Sequence, residues 1–268
     1  MNHLLTRRLT LSLLLLSCAQ TQAEEKITRI HWVGSAWMNY HGLAPQCSEW
    51  LAMQPGFGRV EHSTDKLWPL HALLDDPPSK MQLYGDPRTQ AQIVADTRAR
   101  DFDVLVLAMH LEMVAKDSTA DAFTRTLGFF ASEAKRRNAR LIFAAYGTTF
   151  GDDCARGMER LGTLAHTHHA IICPWWSAMK SVSTQRPDAD LLGKPTKGHP
   201  SIGSIYLNLC TFICTLTNTA PDQLKLPKQF RGWDTDEPPH SLSTEDAMFF
   251  QQTAWAAWKE ARDARQPE

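Results

Sequence analysis

Asp103-Val104-Leu105-Val106-Leu107-Ala108-Met109 sets the architecture of this chain. A nearly continuous apolar run of this length reads as a strand covered on both faces, as in a parallel sheet. Working outward, Ile27 to Val33, Arg140-Leu141-Ile142-Phe143-Ala144-Ala145-Tyr146 and Ala170-Ile171-Ile172-Cys173-Pro174 repeat the pattern. Helical periodicity fills the intervals. Residues 118–137 place Phe123, Leu127, Phe130 and Ala134 on one stripe, and residues 154–168 do the same with Met158, Leu161 and Ala165. Further helices are predicted over Ile202 to Leu216 and, behind a Ser243/Thr244 cap, over Thr244 to Arg262, with Ala247, Phe250, Ala254, Trp255 and Trp258 on its apolar face. Strands alternating with amphipathic helices predict a three-layer α/β/α sandwich around a doubly wound, mainly parallel sheet. Functional groups in such folds gather at the carboxyl ends of the strands. Here that edge collects Ser35 and Ala36, Met109 and His110, and Tyr146 to Asp153.

Two further stretches carry the chemistry. One is Lys197-Gly198-His199-Pro200-Ser201-Ile202-Gly203-Ser204-Ile205-Tyr206-Leu207, a histidine just before an apolar helix; the other is Ile30-His31-Trp32-Val33-Gly34-Ser35-Ala36-Trp37-Met38-Asn39-Tyr40-His41-Gly42-Leu43. Together they resemble the last and first sequence blocks of the SGNH (GDSL-type) hydrolases. In the last block, usually Asp-x-x-His-Pro-Ser-x-x-Gly, His199, Pro200 and Ser201 fit, Gly203 comes one place early and Thr196 occupies the acid position. In the first, a strand leads into Gly-x-Ser and an aromatic residue; Gly34 and Trp37 fit, Ala36 occupies the nucleophile position and Ser35 stands one residue too early. The likeness runs from about residue 27 to about residue 220.

What the resemblance implies is an SGNH-like, flavodoxin-like sandwich that hydrolyses small esters, acetyl groups on carbohydrate among them. Such an enzyme needs a hydroxyl nucleophile, a histidine base, an acid that orients the imidazole, and oxyanion donors. Of these His199 is intact. Alanine cannot attack an ester, and threonine lacks the charge that stabilises an imidazolium. The second block, expected near Ser63 to His71, has no glycine, and Met109 or His110 stands where the third block's amide should be. The expectation is therefore an ester hydrolase impaired at Ala36 and Thr196. Two alternatives stand beside it: an active esterase with Ser35 as nucleophile, and a non-catalytic protein that binds a glycan or protein through the same cleft. Gly34, Trp37, His110 and Tyr146 are expected to line that cleft, and the Trp175-Trp176 pair offers aromatic faces for a sugar ring or for the core. Asp152, Asp153, Asp188 and Asp190 are the substitute acids within reach in sequence, each also read as a solvated loop residue.

Residues 1–23 read as an export signal: Arg7 and Arg8, a leucine-rich run from Leu9 to Leu16, then small and polar residues ending at Ala23. The apolar run is too short to span a bilayer. The protein is thus expected to be periplasmic or extracellular, with membrane attachment only through a lipid on Cys18, since Leu15-Leu16-Ser17-Cys18 resembles a lipobox. Removal of residues 1–23 leaves 245 of the 268 residues, one domain spanning 24–268 with the C-terminal helix as its cover. Without Arg7 and Arg8 the 28 basic residues become 26 against 29 acidic, a formal charge of −3 that argues against nucleic-acid binding.

Five cysteines follow the signal: Cys47, Cys154, Cys173, Cys210 and Cys214. Export permits disulfides, and Cys47 with Cys154 is the expected pair. Cys210 and Cys214, four apart on a helix, read as buried small hydrophobes. No cysteine or histidine spacing reads as a metal site, so His166, His168 and His169 are expected at a solvated helix end, and no cofactor is implied. Oligomeric state leaves no mark in the sequence.

Overall fold

The computed structural model describes residues 26–34, 42–67, 70–74, 88–189, 191, 201–231 and 239–264. The predicted signal, Cys18, Ser35, Ala36, Trp37, Asp190, Thr196 and His199 lie outside the described residues. Within them, strands β1 (Ile27–Gly34), β2 (Arg59–Lys66), β3 (Val104–His110), β4 (Arg140–Tyr146) and β5 (Ile171–Cys173) form one sheet in the order β2-β1-β3-β4-β5. Every pairing is parallel, as the apolar runs predicted. Val104 sits opposite Ile30 and Arg140, and His110 opposite Tyr146. β5 is the short outer strand on one side and the polar β2 on the other.

Alternation along each strand splits the core in two. Ile30, Trp32, Val106, Ala108, Ile142 and Ala144 face helices α1 (Leu43–Ala52), α6 (Trp175–Gln185), α7 (Ile202–Thr217) and α8 (Thr244–Asp263). Val33, Leu105, Leu107, Met109 and Phe143 face α2 (Gln90–Ala99), the short α3 (Leu111–Val114), α4 (Ala120–Arg136), α5 (Asp152–Thr167) and a 3-10 turn at Leu70–Leu74. The result is the three-layer α/β/α sandwich that the sequence predicts. Each fully buried aliphatic or aromatic side chain in these layers stabilises the fold by roughly 1.5–3 kcal/mol.

Helix α7 is apolar all round because it is covered all round, being buried from Ser204 to Leu216 among the sheet, α1, α6 and α8. Its start is fixed by Ser201, whose Oγ accepts a hydrogen bond from the Ser204 amide at 3.2 Å, and its end by Asn218 in the left-handed region. Inside it, the Thr211 and Thr215 hydroxyls donate to carbonyls one turn back, which satisfies them without a tertiary partner. Helix α8 lies across α7 and α6 and is tied down by Trp258 Nε1, which donates to Asn218 Oδ1 at 3.0 Å.

The structure corrects the expected disulfide. Cys47 and Cys154 are free thiols in the cores on opposite faces of the sheet. No bridge can cross a sheet, because a disulfide holds its Cα atoms within about 7 Å. Cys173, Cys210 and Cys214 are also free and buried, as small hydrophobes; burial pushes the Cys173 and Cys214 thiols up to about 12. His166 and His169 are exposed at the end of α5, as expected, with His168 half-buried.

Candidate functional site

Three of the expected cleft residues end three adjacent elements of the sheet. Gly34 closes β1, His110 closes β3 and Tyr146 closes β4. Gly34 has φ +133°, and a Cβ there would fall 2.1 Å from the Ala108 carbonyl oxygen. Only glycine lets β1 leave the sheet so close to β3. His110 and Tyr146, opposite in register, pack ring against ring with centroids 3.9 Å apart, and Tyr146 in turn meets Trp175 at 5.3 Å.

Tyr146 and Trp175 are buried, as is Trp176, whose Nε1 donates to the Thr149 carbonyl at 3.0 Å. These rings therefore floor the edge and do not offer an open face to a sugar, which corrects the expectation for Tyr146 as a lining residue and settles the tryptophan pair as core. The apolar run of β4 continues directly into this packing, which is why its last residue is sealed. Asp152, Asp153 and Asp188 are exposed, and Asp153 pairs with Arg156.

One carboxylate at this edge was not singled out in the sequence: Glu112. It enters the first turn of α3, two residues after β3 ends. One oxygen, Oε1, accepts from both the Thr148 amide and the Thr148 hydroxyl at 2.5 Å each. The other, Oε2, is sealed from solvent, has no hydrogen bond, and faces His110 Nδ1 at 4.0 Å. Burial works to raise the Glu112 pKa, but the Thr148 donors and the Cys154 thiol outweigh it and hold the carboxyl below its ordinary value. Burial pushes His110 down to about 4 against the pull of Glu112. At neutral pH the pair is thus an ionised carboxylate beside a neutral imidazole. The signal in the sequence was its position, an acid just past the carboxyl end of a central strand, but Glu112 reads equally well as a helix-start acid.

The elements around this pair are tightly constrained. Gly157 lets α5 approach so closely that a Cβ would meet the Leu111 carbonyl oxygen at 2.3 Å, and Gly147 leaves room for Cys154 and Trp176 beneath the β4 exit. A cavity of about 10 Å³, the space of one water, adjoins His110 and is also lined by His71, Met113 and Phe123.

A second polar cluster lies along the flank of the sheet. His31 of β1 receives Ser63 Oγ of β2 at 3.0 Å on Nδ1, with Arg100 Nη1 3.3 Å from the same nitrogen. Because the guanidinium can only donate, Nδ1 is the acceptor and the proton sits on Nε2. Nε2 lies 3.1 Å from Asp65 Oδ2, close for an ion pair though neither atom has a well-aligned hydrogen bond. Arg88 pairs with Asp65 Oδ1 at 2.7 Å. Burial works to raise Asp65, but the neighbouring His31, Arg88 and Arg100 overcome it and hold the carboxyl at about 2. Both His31 and Asp65 are sealed from solvent, so this cluster fastens the polar strand β2 to β1 and α2 and presents nothing to a substrate.

Among the described residues no three His, Cys, Asp or Glu side chains gather as a metal site, and no helix is long and apolar enough to cross a membrane.

No protein-family model and no curated protein matches the sequence. Solved structures do match the fold. A DUF4886 family protein from Bacteroides uniformis is 11% identical, with 91% of this chain and 98% of that chain covered and a TM-score of 0.56. A variant of Axe2, an acetyl-xylooligosaccharide esterase from a Geobacillus species, is 13% identical over 70% of this chain and 94% of that one, with a TM-score of 0.51. A candidate SGNH hydrolase from Slackia heliotrinireducens is 18% identical over 71% of this chain and its own whole length, at a TM-score of 0.49. The chain thus shares its fold with the DUF4886 family protein and with Axe2.

Proposed function

We propose that this chain is an exported, periplasmic or extracellular descendant of an SGNH-type ester hydrolase, and that its site at the carboxyl edge takes a small acyl ester or an O-acetylated carbohydrate. Hydrolysis through the usual triad is impaired, because the nucleophile and acid positions carry Ala36 and Thr196. The observation that supports the reading is the convergence of Gly34, His110 and Glu112 at the carboxyl edge of an SGNH fold, where such folds do their chemistry. The likeness to an acetyl-xylooligosaccharide esterase favours acetyl esters.

Initial rates on p-nitrophenyl acetate test the reading in the parent, Ala36→Ser, Thr196→Asp and the double variant. Triad members act as a unit, so the double variant should gain more than the product of the single gains. Loss of the second-block glycine and third-block amide should cap the rescue, each missing oxyanion donor costing about 2.7–4 kcal/mol of transition-state stabilisation. A double variant no faster than the parent sinks the triad reading. Strong parent activity lost in Ser35→Ala makes Ser35 the nucleophile.

A further inference from the structure

The geometry points to His110 as a second catalytic base of this site, oriented by Glu112 and working on water without the His199 triad. The assignment rests on the ester-hydrolase reading above. Glu112 is gripped on one side and unengaged on the other: Thr148 holds Oε1 with two hydrogen bonds, while Oε2 is sealed and has His110 Nδ1 before it at 4.0 Å. A fixed carboxylate beside one ring nitrogen favours the proton on that nitrogen and leaves the far nitrogen, Nε2, as the base. This is the relation of the acid to the histidine in a hydrolytic triad, and it supplies the acid that Thr196 cannot. The 4.0 Å separation is long for a hydrogen bond, but such contacts tighten when substrate binds.

The histidine side chain is 14% exposed and the glutamate 24%, so both stand at the rim and neither is locked into the interior. Among the described residues, Glu112 from α3, Tyr146 from β4 and, across the water-sized cavity, His71 face His110; Cys154 and Thr148 face Glu112. Of these groups the Glu112 carboxylate acts on the imidazole through its charge and favours the protonated ring.

In the reaction, the water oxygen bonds to the acyl carbon as His110 Nε2 takes one of its protons. The carbon–oxygen bond to the alcohol then breaks, and the imidazolium returns that proton to the departing alkoxide. The products are the carboxylic acid and the alcohol, and His110 is again neutral. Glu112 moves no proton; it is a positioning residue.

Two measurements on the full mature chain test the assignment. In the parent, ¹⁵N NMR of His110 should show the Nδ1–H tautomer at pH 7; an Nε2–H tautomer overturns it without any variant. Hydrolysis of p-nitrophenyl acetate is then compared among the parent, His110→Gln, Glu112→Gln, the double variant and His199→Ala. His110→Gln should lower kcat/KM about 100-fold, the lower range for a general base. Glu112→Gln should also lower it, and the double variant should be no slower than His110→Gln alone. The acid limb of the parent profile should fall near pH 4 and move lower in Glu112→Gln, because the lost carboxylate no longer favours the imidazolium. A merely structural Glu112 would leave that limb in place. Turnover that survives His110→Gln but is abolished by His199→Ala overturns the assignment and leaves the ester-hydrolase reading standing; a parent with no turnover overturns both.

Discussion

His31 and His110 belong to neighbouring strands, each beside a carboxylate, and burial lowers the pKa of both. Their surroundings differ in exposure to solvent. Around His31, Ser63, Asp65, Arg88 and Arg100 close a network in which the imidazole is fully sealed. Each pair leaves one carboxylate oxygen without a hydrogen bond, but around His110 the imidazole and the Glu112 side chain keep an exposed margin. A charged network sealed from solvent rigidifies a fold, whereas one that reaches solvent at a strand's carboxyl end keeps chemistry available. The difference separates a histidine that holds β2 on the sheet from one that can work.

The sharpest way to break that comparison is Asp65→Ala. It leaves His31 Nε2–H and two guanidiniums facing a buried void, and it should cost about 3 kcal/mol, the low end for a buried pair since both arginines keep some solvent. Urea unfolding would read this directly, and a loss under 1 kcal/mol would show that the flank cluster is not a fastener. Glu112→Ala should cost less than Asp65→Ala in the same assay.

Next comes the pH dependence of stability. Both histidines have folded-state pKa values below the ordinary 6.5. As pH falls, the unfolded chain therefore binds protons first, so stability is full above pH 6.5 and is lost on the way down. For His110 the window runs from 6.5 to about 4, worth at most about 3 kcal/mol at ~1.4 kcal/mol per unit. Chemical denaturation of His110→Gln at pH 7 and pH 4 should show a shallower acid loss than the parent. An unchanged slope would mean that His110 is not buried neutral. His31→Gln should flatten the slope as well, but lose stability at pH 7 because its network is broken.

A smaller effect is expected from Thr148→Val, which deletes one of the two donors to Glu112 Oε1. About 2 kcal/mol is typical for a hydrogen bond to a charged group. The same change should raise the Glu112 pKa and leave the His31 region untouched, which thermal unfolding and NMR titration can separate. Smallest of all is reduction: the described thiols are free, so a reductant should leave the unfolding midpoint where it is, and a clear drop would show a bridge.

The apolar strands and periodic helices were legible because their burial is written in local pattern. The sandwich, the cap at Ser243 and the cover of α8 all follow from residues within a few positions of one another. Strand β2 was not legible. Its sequence Arg-Val-Glu-His-Ser-Thr-Asp-Lys has no apolar alternation, and its inward Ser63 and Asp65 are tolerable only because His31 and Arg88 arrive from elsewhere in the chain. The Cys47 and Cys154 pairing failed for a related reason, since spacing does not say which face of a sheet a helix covers.

By itself, then, the sequence determined the parallel α/β/α architecture and the edge at which Gly34, His110 and Tyr146 end their strands, because periodic burial is a local property. Only the tertiary structure decided that Tyr146 and Trp175 lie buried under that edge and that Thr148 fixes Glu112 beside His110. Those contacts join residues on different strands and helices, and desolvation and hydrogen bonding set their charge states only once the chain has folded.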